Sequence, residues 1–402
     1  MERDPVMTEE MEAIERESRL QGVLQAAEGW LDRQRPDRAA PLLRTAQRMD
    51  PGNANVELAL TSMGLEGESR ARVLVVRQQS AGALPVESRW SSTGRVKHLQ
   101  WDVLEVLRRR TNGNLELALE QLLVAEDPVL VVQGDESLSP HLGDACRALG
   151  IPMETQHGKI RRPRGVRRRK QLVRPLVSVL VTAQGNTLGL SRLLDQLVLN
   201  DLSPRLYEVL VVDSGSQVDL AEIVNVPNRP VATRLYSGST CGKSRNRALA
   251  VARGDWILFL DDQALPDLDG LRRHVVGQSG LGGTTGILGN LSLCDEEMET
   301  RLEEAARYSV LFSPRIGLDS GKRYPWTAFD TRNLSICRRR LVEVGGFDPK
   351  IDSRQALDLD LGRRLHESSG IELLFDPAIA AVSTEKVGAR AFIRRQQELG
   401  SA

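Results

Sequence analysis

The chain is poor in cysteine and in aromatic residues, and it has no excess charge of either sign. Its 402 residues include four cysteines without a CxxC pair, which argues against a disulfide framework or a zinc site and favours a reducing compartment. Basic and acidic residues balance at 54 each, so no global field draws the protein onto nucleic acid or an anionic membrane. The five histidines show no spacing typical of metal ligands, and we interpret them as surface or packing residues.

Long apolar runs are also missing. No apolar segment approaches the roughly 20 residues needed to span a bilayer. The N-terminal stretch "MERDPVMTEEMEAIERESRL" is too charged for a signal peptide. The sequence therefore predicts a cytoplasmic protein with no transmembrane segment and no nucleic-acid partner. Peripheral binding at the inner face of the membrane stays open, because residues 389–400 are amphipathic and basic.

What is present is the composition of a globular protein with several domains. Hydrophobic residues make up 41% and charged residues 27% of a chain too long for one ordinary core. Residues 1–68 are predicted to be helical, since apolar and small residues recur at spacings of three and four between breaks at Pro36 and Pro51. They resemble one tetratricopeptide unit, with Trp30 and Leu31 in its first helix. A single unit indicates either a docking element for a protein partner or a helical cap on the next domain.

Residues 69–158 alternate between strand-like and helix-like segments. The stretches "ARVLVV", "DPVLVVQ" and "IPMETQ" predict strands, and residues 97–110 and 141–150 predict helices. The sequence of this small α/β domain contains no phosphate loop and no catalytic cluster, so it predicts no role for the domain. Residues 159–174 are rich in arginine and lysine and are predicted to be a solvated linker, with contact to an anionic lipid or acceptor as the alternative.

The region 175–402 has the pattern of an α/β domain built on parallel strands. Apolar strand-like runs begin at Leu176, Tyr207 and Asp255, and helix-like segments lie between them. This alternation predicts a doubly wound sheet. In such sheets, ligands bind at the carboxyl ends of the strands.

Carboxylates stand at the ends of two of these predicted strands. Asp213 opens the turn "DSGS", while Asp261 and Asp262 close a later strand, so these acids are expected to share one rim. A single acid suits hydrogen bonding to a base or ribose, and an acidic pair suits a divalent cation that bridges phosphates. The helix start after "STCG", with Lys243 and Arg245 in its first turn, suits a nearby diphosphate. Taken alone, each acid could equally belong to a turn that caps the next helix.

Five motifs in a fixed order give this region a specific likeness. They are "VVDSGS", "GKSRNRAL", "LFLDDQALPD", "TRNLSICRRRLVEVGGFD" and "LDLDLGRRL". In this order they resemble a family 2 glycosyltransferase, over about residues 176–385. The resemblance implies a GT-A-type doubly wound mixed sheet. It also implies inverting transfer of a sugar from a nucleotide-diphosphate donor to a hydroxyl of a polysaccharide, lipid or protein glycan.

The resemblance assigns four residues to the nucleotide-sugar donor. Asp213 and Ser214 occupy the turn that contacts the nucleotide base. Arg245 and Asn246, in the segment "SRN", are expected to line the nucleotide-sugar site.

The resemblance also assigns the chemistry of transfer. Asp261 and Asp262 stand in the motif that holds Mg²⁺ or Mn²⁺ and the diphosphate, and a metal can stabilise the charge of the leaving group. Asp358 matches the general base, which takes the proton from the attacking hydroxyl.

The sequence departs from the family pattern near the donor. Gln263 replaces an acid of the metal motif, and an amide is a poorer ligand for Mg²⁺ or Mn²⁺ than a carboxylate. Leu357 replaces the glutamate before the predicted base. These changes leave open a catalytically degenerate domain that binds without transfer or acts as a scaffold. A nucleotidyltransferase ranks below both, because the loop after the first strand lacks lysine and arginine. Trp326 suits either stacking on a sugar or a place in the core.

Overall fold

The computed structural model describes most of the chain from residue 96 onward. The described ranges are 73–76, 96–126, 130–133, 139–149, 151, 153–154, 160–161, 173–226, 231, 233–238, 240–293, 315–351 and 353–384, with isolated helical positions at Val23, Leu24, Ala27, Ala39, Leu43, Ala46 and Ile393. Apart from those positions, the predicted tetratricopeptide-like unit and the stretch 389–400 lie outside the described residues. In the described ranges, no helix is long and apolar enough to cross a membrane.

A small α/β unit comes first in the chain. Its strands and helices are β1 (Val73–Val76), β2 (Val96–His98), α1 (Trp101–Arg110), α2 (Leu115–Glu126), β3 (Leu130–Gln133), α3 (Ser139–Leu149), β4 (Met153–Glu154) and β5 (Ile160–Arg161). The sheet order is β2-β1-β3-β4-β5, and every pair is parallel except β4 with β5.

Two boundaries in this unit differ from the sequence prediction. Residues 97–98 were expected in a helix, but they extend β2 along β1, because the free edge of β1 offers backbone hydrogen bonds to this segment. The helix α1 begins only at Trp101. Residues 160–161 were expected in the linker, but they pair with β4, so the sheet continues past residue 158.

A larger mixed sheet follows, flanked by helices. Its elements are β6 (Val177–Ala183), α4 (Thr187–Val198), β7 (Tyr207–Asp213), α5 (Ala221–Val224), β8 (Thr233–Ser237), α6 (Cys241–Val251), β9 (Trp256–Asp261), β10 (Ala264–Pro266), α7 (Gly270–Ser279), β11 (Thr285–Leu293), β12 (Arg323–Tyr324), β13 (Leu334–Cys337), α8 (Arg338–Glu343), α9 (Arg354–Ser369) and β14 (Glu372–Ser383). The strand order is β10-β14-β11-β13-β9-β6-β7-β8, and β12 pairs with β14. The α/β class with a mixed sheet agrees with the prediction.

The centre of this sheet is made of apolar strands that are covered on both faces. Every residue of β6 is buried, as are all residues of β7 except the last. The strands β9, β6, β7 and β8 run parallel to one another. Strands buried on both faces need continuous apolar runs, which is why this part of the sheet was readable from sequence.

The small unit packs directly on the larger sheet through a shared core. Buried residues of both units form one continuous apolar cluster. At its edge, Arg272 of α7 contacts Asp102 of α1 at 2.5 Å and Asp201 at 2.7 Å. Ser203 donates a hydrogen bond to the carbonyl oxygen of Ala125 at 2.9 Å. These contacts fix the small unit to the face of the sheet that carries α7.

Candidate active site

Three parallel strands end side by side and form the rim of the candidate site. The strand β6 lies between β7 and β9, and the register pairs Ala183 with Asp213 and Thr182 with Asp261. Neighbouring strands lie about 4.8 Å apart, so Asp213 and Asp261 stand about 10 Å apart across this rim. The acid groups at the ends of β7 and β9 therefore share one edge of the sheet.

Asp213 holds the turn that follows β7. Its Oδ1 accepts hydrogen bonds from the backbone N–H groups of Gly215 and Ser216 and from the Ser216 hydroxyl, at 2.8 to 3.0 Å. The Oδ2 atom has no hydrogen-bond partner within the described ranges, so one carboxylate oxygen remains for a ligand. Ser214 lies in the same turn, and its hydroxyl donates to Cys241 Sγ at 3.3 Å.

Asp261 and Asp262 point in different directions. Asp262 is 2% exposed, and its Oδ2 accepts the Gln184 N–H at 2.8 Å, so it braces the loop after β6. Burial raises the pKa of Asp262 to about 7. Asp261 lies nearer the surface, where its Oδ2 is 3.1 Å from Arg354 Nη1 and its Oδ1 accepts the Gln263 N–H at 3.2 Å.

In the structure, each of these two carboxylates has its own partner inside the protein, and they do not turn together towards one ion, as the metal site predicted from the sequence would require. Asp261 already has a cationic partner in Arg354, and Asp262 is turned towards a backbone N–H group. Among the residues that the structure describes, no group of three His, Cys, Asp or Glu side chains could hold a metal ion. Gln263 offers only a neutral amide. The donor set therefore fits a guanidinium group better than Mg²⁺ or Mn²⁺.

Arg245 and Asp358 form a buried ion pair next to this rim. Arg245 is 1% exposed, its Nη1 lies 3.1 Å from Asp358 Oδ1, and its Nε donates to Thr182 Oγ1 at 3.2 Å. The guanidinium also lies 4.9 Å from the centre of the Phe347 ring. Arg245 thus connects the middle strand of the rim to α9, which carries Asp358.

Asp358 is held by several donors from inside the protein. Its Oδ2 accepts the Thr331 N–H at 2.9 Å, and Thr331 Oγ1 lies within 3.0 Å of both carboxylate oxygens. Burial raises the pKa of Asp358, and the charge of Arg245 opposes that rise. A carboxyl with a raised pKa is better suited to accept a proton than an ordinary surface aspartate.

Asn246 uses both polar atoms of its side chain inside the protein. Its Nδ2 donates to the Phe347 carbonyl oxygen, and its Oδ1 accepts the Phe347 N–H, both at 2.8 Å. Gly346 has a φ of 71°, and a Cβ atom there would lie 2.4 Å from Asn246 Oδ1. The glycine is therefore required by both its left-handed backbone and this close approach. Asn246 fixes the turn before α9.

The Asn246→Ala variant is expected to lose about 2 kcal/mol or more of unfolding free energy, because two backbone groups of Phe347 lose their partner. Urea denaturation followed by circular dichroism measures this loss. The matched control is Asn225→Ala, at an exposed position, which should change the unfolding free energy by less than about 0.5 kcal/mol. Equal stability of both variants would contradict this role of Asn246.

Several charged residues of the site were not recognised in the sequence. Asp330 is paired with Arg332 at 2.6 Å and with Arg315 at 2.9 Å, and these cations hold the pKa of Asp330 well below its usual range. Arg354 is the fourth charged residue that was not recognised. In the sequence, these residues appear only as the segment "FDTRN" and as an arginine four residues before Asp358, and neither has a distinctive spacing.

One histidine connects α7 to the sheet. His274 is buried, with Nε2 3.0 Å from Asn333 Oδ1 and Nδ1 2.9 Å from Ser335 Oγ. Asn333 Nδ2 donates to two carbonyl oxygens, so its Oδ1 is the acceptor and Nε2 of the histidine carries the proton. Burial lowers the pKa of His274 to about 4. This histidine is a packing residue, as the sequence analysis interpreted it.

The pKa of His274 predicts a pH dependence of stability. The unfolded histidine takes up a proton near pH 6.5 and the folded one only near pH 4, so acid favours unfolding in that window. Relative to His274→Gln, the wild type should lose up to about 3 kcal/mol of unfolding free energy between pH 6.5 and 4. Urea denaturation across this range measures the difference. The control His141→Gln, at an exposed position, should follow the wild type, and a parallel curve for His274→Gln would refute the assignment.

Comparison with known proteins points to one class of enzyme. The family model described as glycosyl transferase family 2 matches residues 178–277, which run from β6 into α7 and contain the whole rim. An uncharacterized glycosyltransferase of Bacillus subtilis (strain 168), YfnE, is 24% identical over 213 residues, covering 40% of this chain and 53% of the relative. The validoxylamine A glucosyltransferase of Streptomyces hygroscopicus subsp. limoneus is 24% identical over 261 residues, covering 56% and 58%. These matches support a glycosyltransferase.

Solved glycosyltransferase structures align with about half of the chain. TarS of S. aureus, residues 1–349, aligns with a TM-score of 0.41 at 17% identity, covering 52% of this chain and 60% of that one. The mannosyltransferase PcManGT from Pyrobaculum calidifontis, in complex with GDP-Man and Mn²⁺, aligns with a TM-score of 0.42 at 22% identity, covering 56% and 62%. The strand order itself is that of a mixed sheet in an α/β protein, as predicted. The chain spans little more than half the length of the curated relatives it matches.

Proposed function

We propose that the protein is an inverting glycosyltransferase, which moves a sugar from a nucleotide-diphosphate donor to an acceptor hydroxyl. The observation that carries the proposal is the shared rim, where Asp213 and Asp261 flank β6 and the buried Arg245–Asp358 pair lies beside it. The family match over residues 178–277 covers all of this rim. In the proposed site, the unpaired oxygen of Asp213 and the turn with Ser214 face the nucleotide.

The proposed reaction is a single displacement at the anomeric carbon. The acceptor oxygen forms the new bond, the bond to the diphosphate breaks, and its electron pair leaves on the phosphate oxygen. The acceptor proton passes to Asp358, whose raised pKa suits this step. The Thr331 hydroxyl lies next to both oxygens of Asp358. In the proposed reaction, the acceptor hydroxyl displaces the Thr331 hydroxyl from the carboxylate.

The acceptor is proposed by class only. A hydroxyl of a glycan, lipid or protein would approach from the side of Trp326, a half-buried residue in the short 3₁₀ helix Trp326–Ala328, which packs against α9. An aromatic ring at this position suits the apolar face of a sugar. A protein partner for the N-terminal helices and a cytoplasmic or peripheral membrane location remain predictions of the sequence.

A binding-only domain is the second candidate, and one observation favours it. Both oxygens of Asp358 are occupied by internal donors, so in this conformation the carboxylate serves packing as well as chemistry. Such a domain would bind nucleotide without releasing product and would depend little on Asp358.

Release of nucleoside diphosphate from a panel of UDP-, GDP- and dTDP-sugars tests the proposal. The full chain is expected to release diphosphate from one class of donor above the buffer rate. Proton NMR of the released or transferred sugar should show the inverted anomer. A protein that binds a nucleotide but releases none from any donor, with or without added Mn²⁺ and candidate acceptors, would be the binding-only domain instead.

A further inference from the structure

Arg354 stands where the sequence predicts a metal ion. Its Nη1 lies 3.1 Å from Asp261 Oδ2, at the carboxyl end of β9. About a quarter of its side chain is exposed, at 24%, so the guanidinium is neither buried in the core nor free on the surface. Apart from Asp261, the described residues give this guanidinium no hydrogen-bond partner. Several N–H donors of Arg354 thus remain for a ligand at the rim.

The charge of Arg354 acts on the acids around it. Burial raises the pKa of Asp262 and of Asp358, and the charge of Arg354 is among the effects that oppose this rise. Arg354 contacts Asp261 at the end of β9 and lies four residues before Asp358 on α9, so it stands between the end of β9 and the predicted base.

The other arginines of the site are buried in ion pairs. Arg245 is buried against Asp358, and Arg315 and Arg332 are buried beside Asp330. Arg354 is the more exposed of these cations, and its carboxylate partner Asp261 lies on the rim. Among these four arginines, it is the one placed to meet an incoming anion.

A guanidinium group that binds a carboxylate can bind a phosphate in the same way. Both anions present oxygens at a spacing that matches the planar N–H fork of arginine. Arg354 is also the first residue of α9, a helix of 16 residues, whose N-terminus adds partial positive charge. Asp261 would then occupy the anion position of Arg354 until a diphosphate displaces it.

We propose that Arg354 takes the place of the divalent cation. It binds the diphosphate of the donor and neutralises the charge that develops on the leaving group. Nucleotide binding and transfer then require no metal ion. The inference rests on the proposed function, because it concerns the donor of that reaction.

Calorimetric binding of UDP, GDP and dTDP to the full chain tests the inference, in EDTA and in Mn²⁺. One nucleotide should bind equally well under both conditions. Arg354→Gln should weaken that binding about 10-fold or more, since a charge-assisted phosphate contact is lost. Arg354→Lys, which keeps the charge without the planar fork, should fall between. The matched control is Arg363→Gln on the outer face of α9, paired only with side chains of its own helix, and it should bind like the wild type.

The Asp261→Asn variant distinguishes Arg354 from a metal ion, because the two predict opposite changes in nucleotide affinity. If Arg354 is the cation, loss of the competing carboxylate charge leaves nucleotide affinity in EDTA unchanged or higher. If Asp261 holds a metal, the wild type binds only in Mn²⁺, and the same change abolishes that binding.

The outcomes also separate this inference from the proposed function. Binding that appears only with Mn²⁺, or wild-type affinity in Arg354→Gln, overturns the role of Arg354 and leaves the glycosyltransferase standing. Binding of no nucleotide in either condition overturns both.

Discussion

We expect Asp358→Asn to lower the turnover number for sugar transfer by about 10³, because the acceptor hydroxyl loses the carboxylate that takes its proton. The asparagine keeps the shape and can still accept the Thr331 N–H, so nucleotide binding should persist. Steady-state release of nucleoside diphosphate in the presence of acceptor measures the loss. The matched control is Asp360→Asn, two residues further along α9, where the side chain pairs with Arg363 and Arg364 outside the site.

The pH dependence of activity distinguishes a catalytic role of Asp358 from a purely structural one. In the wild type, kcat/KM should fall as the pH drops below the raised pKa of Asp358, since a protonated carboxyl cannot accept the proton. The residual activity of Asp358→Asn should lack this acid limb. Unchanged turnover in a variant that still binds nucleotide would remove Asp358 as the base. An equal loss of stability and activity, with the acid limb intact, would make it a residue that only positions Arg245.

We expect Arg245→Met to lower the unfolding free energy, which is the second large effect. This change leaves the Asp358 carboxylate buried without its cation, and breaking a buried pair on one side typically costs about 3–5 kcal/mol. Urea denaturation should show that loss. Arg247→Met, at an exposed position two residues along α6, should change the unfolding free energy by less than about 1 kcal/mol.

A double-mutant cycle tests the cause of this loss. The double variant Arg245→Met, Asp358→Asn contains no unpaired buried charge, so it should be more stable than Arg245→Met alone. Strict additivity of the two single changes would mean that the pair is not coupled. In that case, the packing of Arg245 on Phe347 and Thr182 would carry the stability instead.

Much of the fold was predictable because its signals are local. The strand β7 was expected at 207–213 and is found there, and β6 and β9 lie within one or two residues of their expected bounds. Continuous apolar runs mark strands that are covered on both faces. The helix α2 was passed over, and the start of α1 was misplaced, since residues 97–98 suit a helix or an edge strand equally and a tertiary contact decides between them.

The candidate site was predictable only in part. Acids at the ends of β7 and β9 had to meet at one rim, because parallel strands end at the same edge of a sheet. The direction of each side chain did not follow from that rule. Asp261 faces Arg354 and Asp262 faces the loop after β6, although the two residues are adjacent in the chain.

The sequence by itself determined the apolar strands, the acids at their ends and the order of the motifs, since each depends on residues close together in the chain. Only the tertiary structure decided which charges meet. Arg245 reaches Asp358 across 113 residues, and Arg354 reaches Asp261 across 93. The sequence shows that an arginine is present but not which carboxylate it neutralises, because the partner is chosen by the packing of α6 and α9 against the sheet. That choice places a guanidinium group at the position where the sequence predicts a metal.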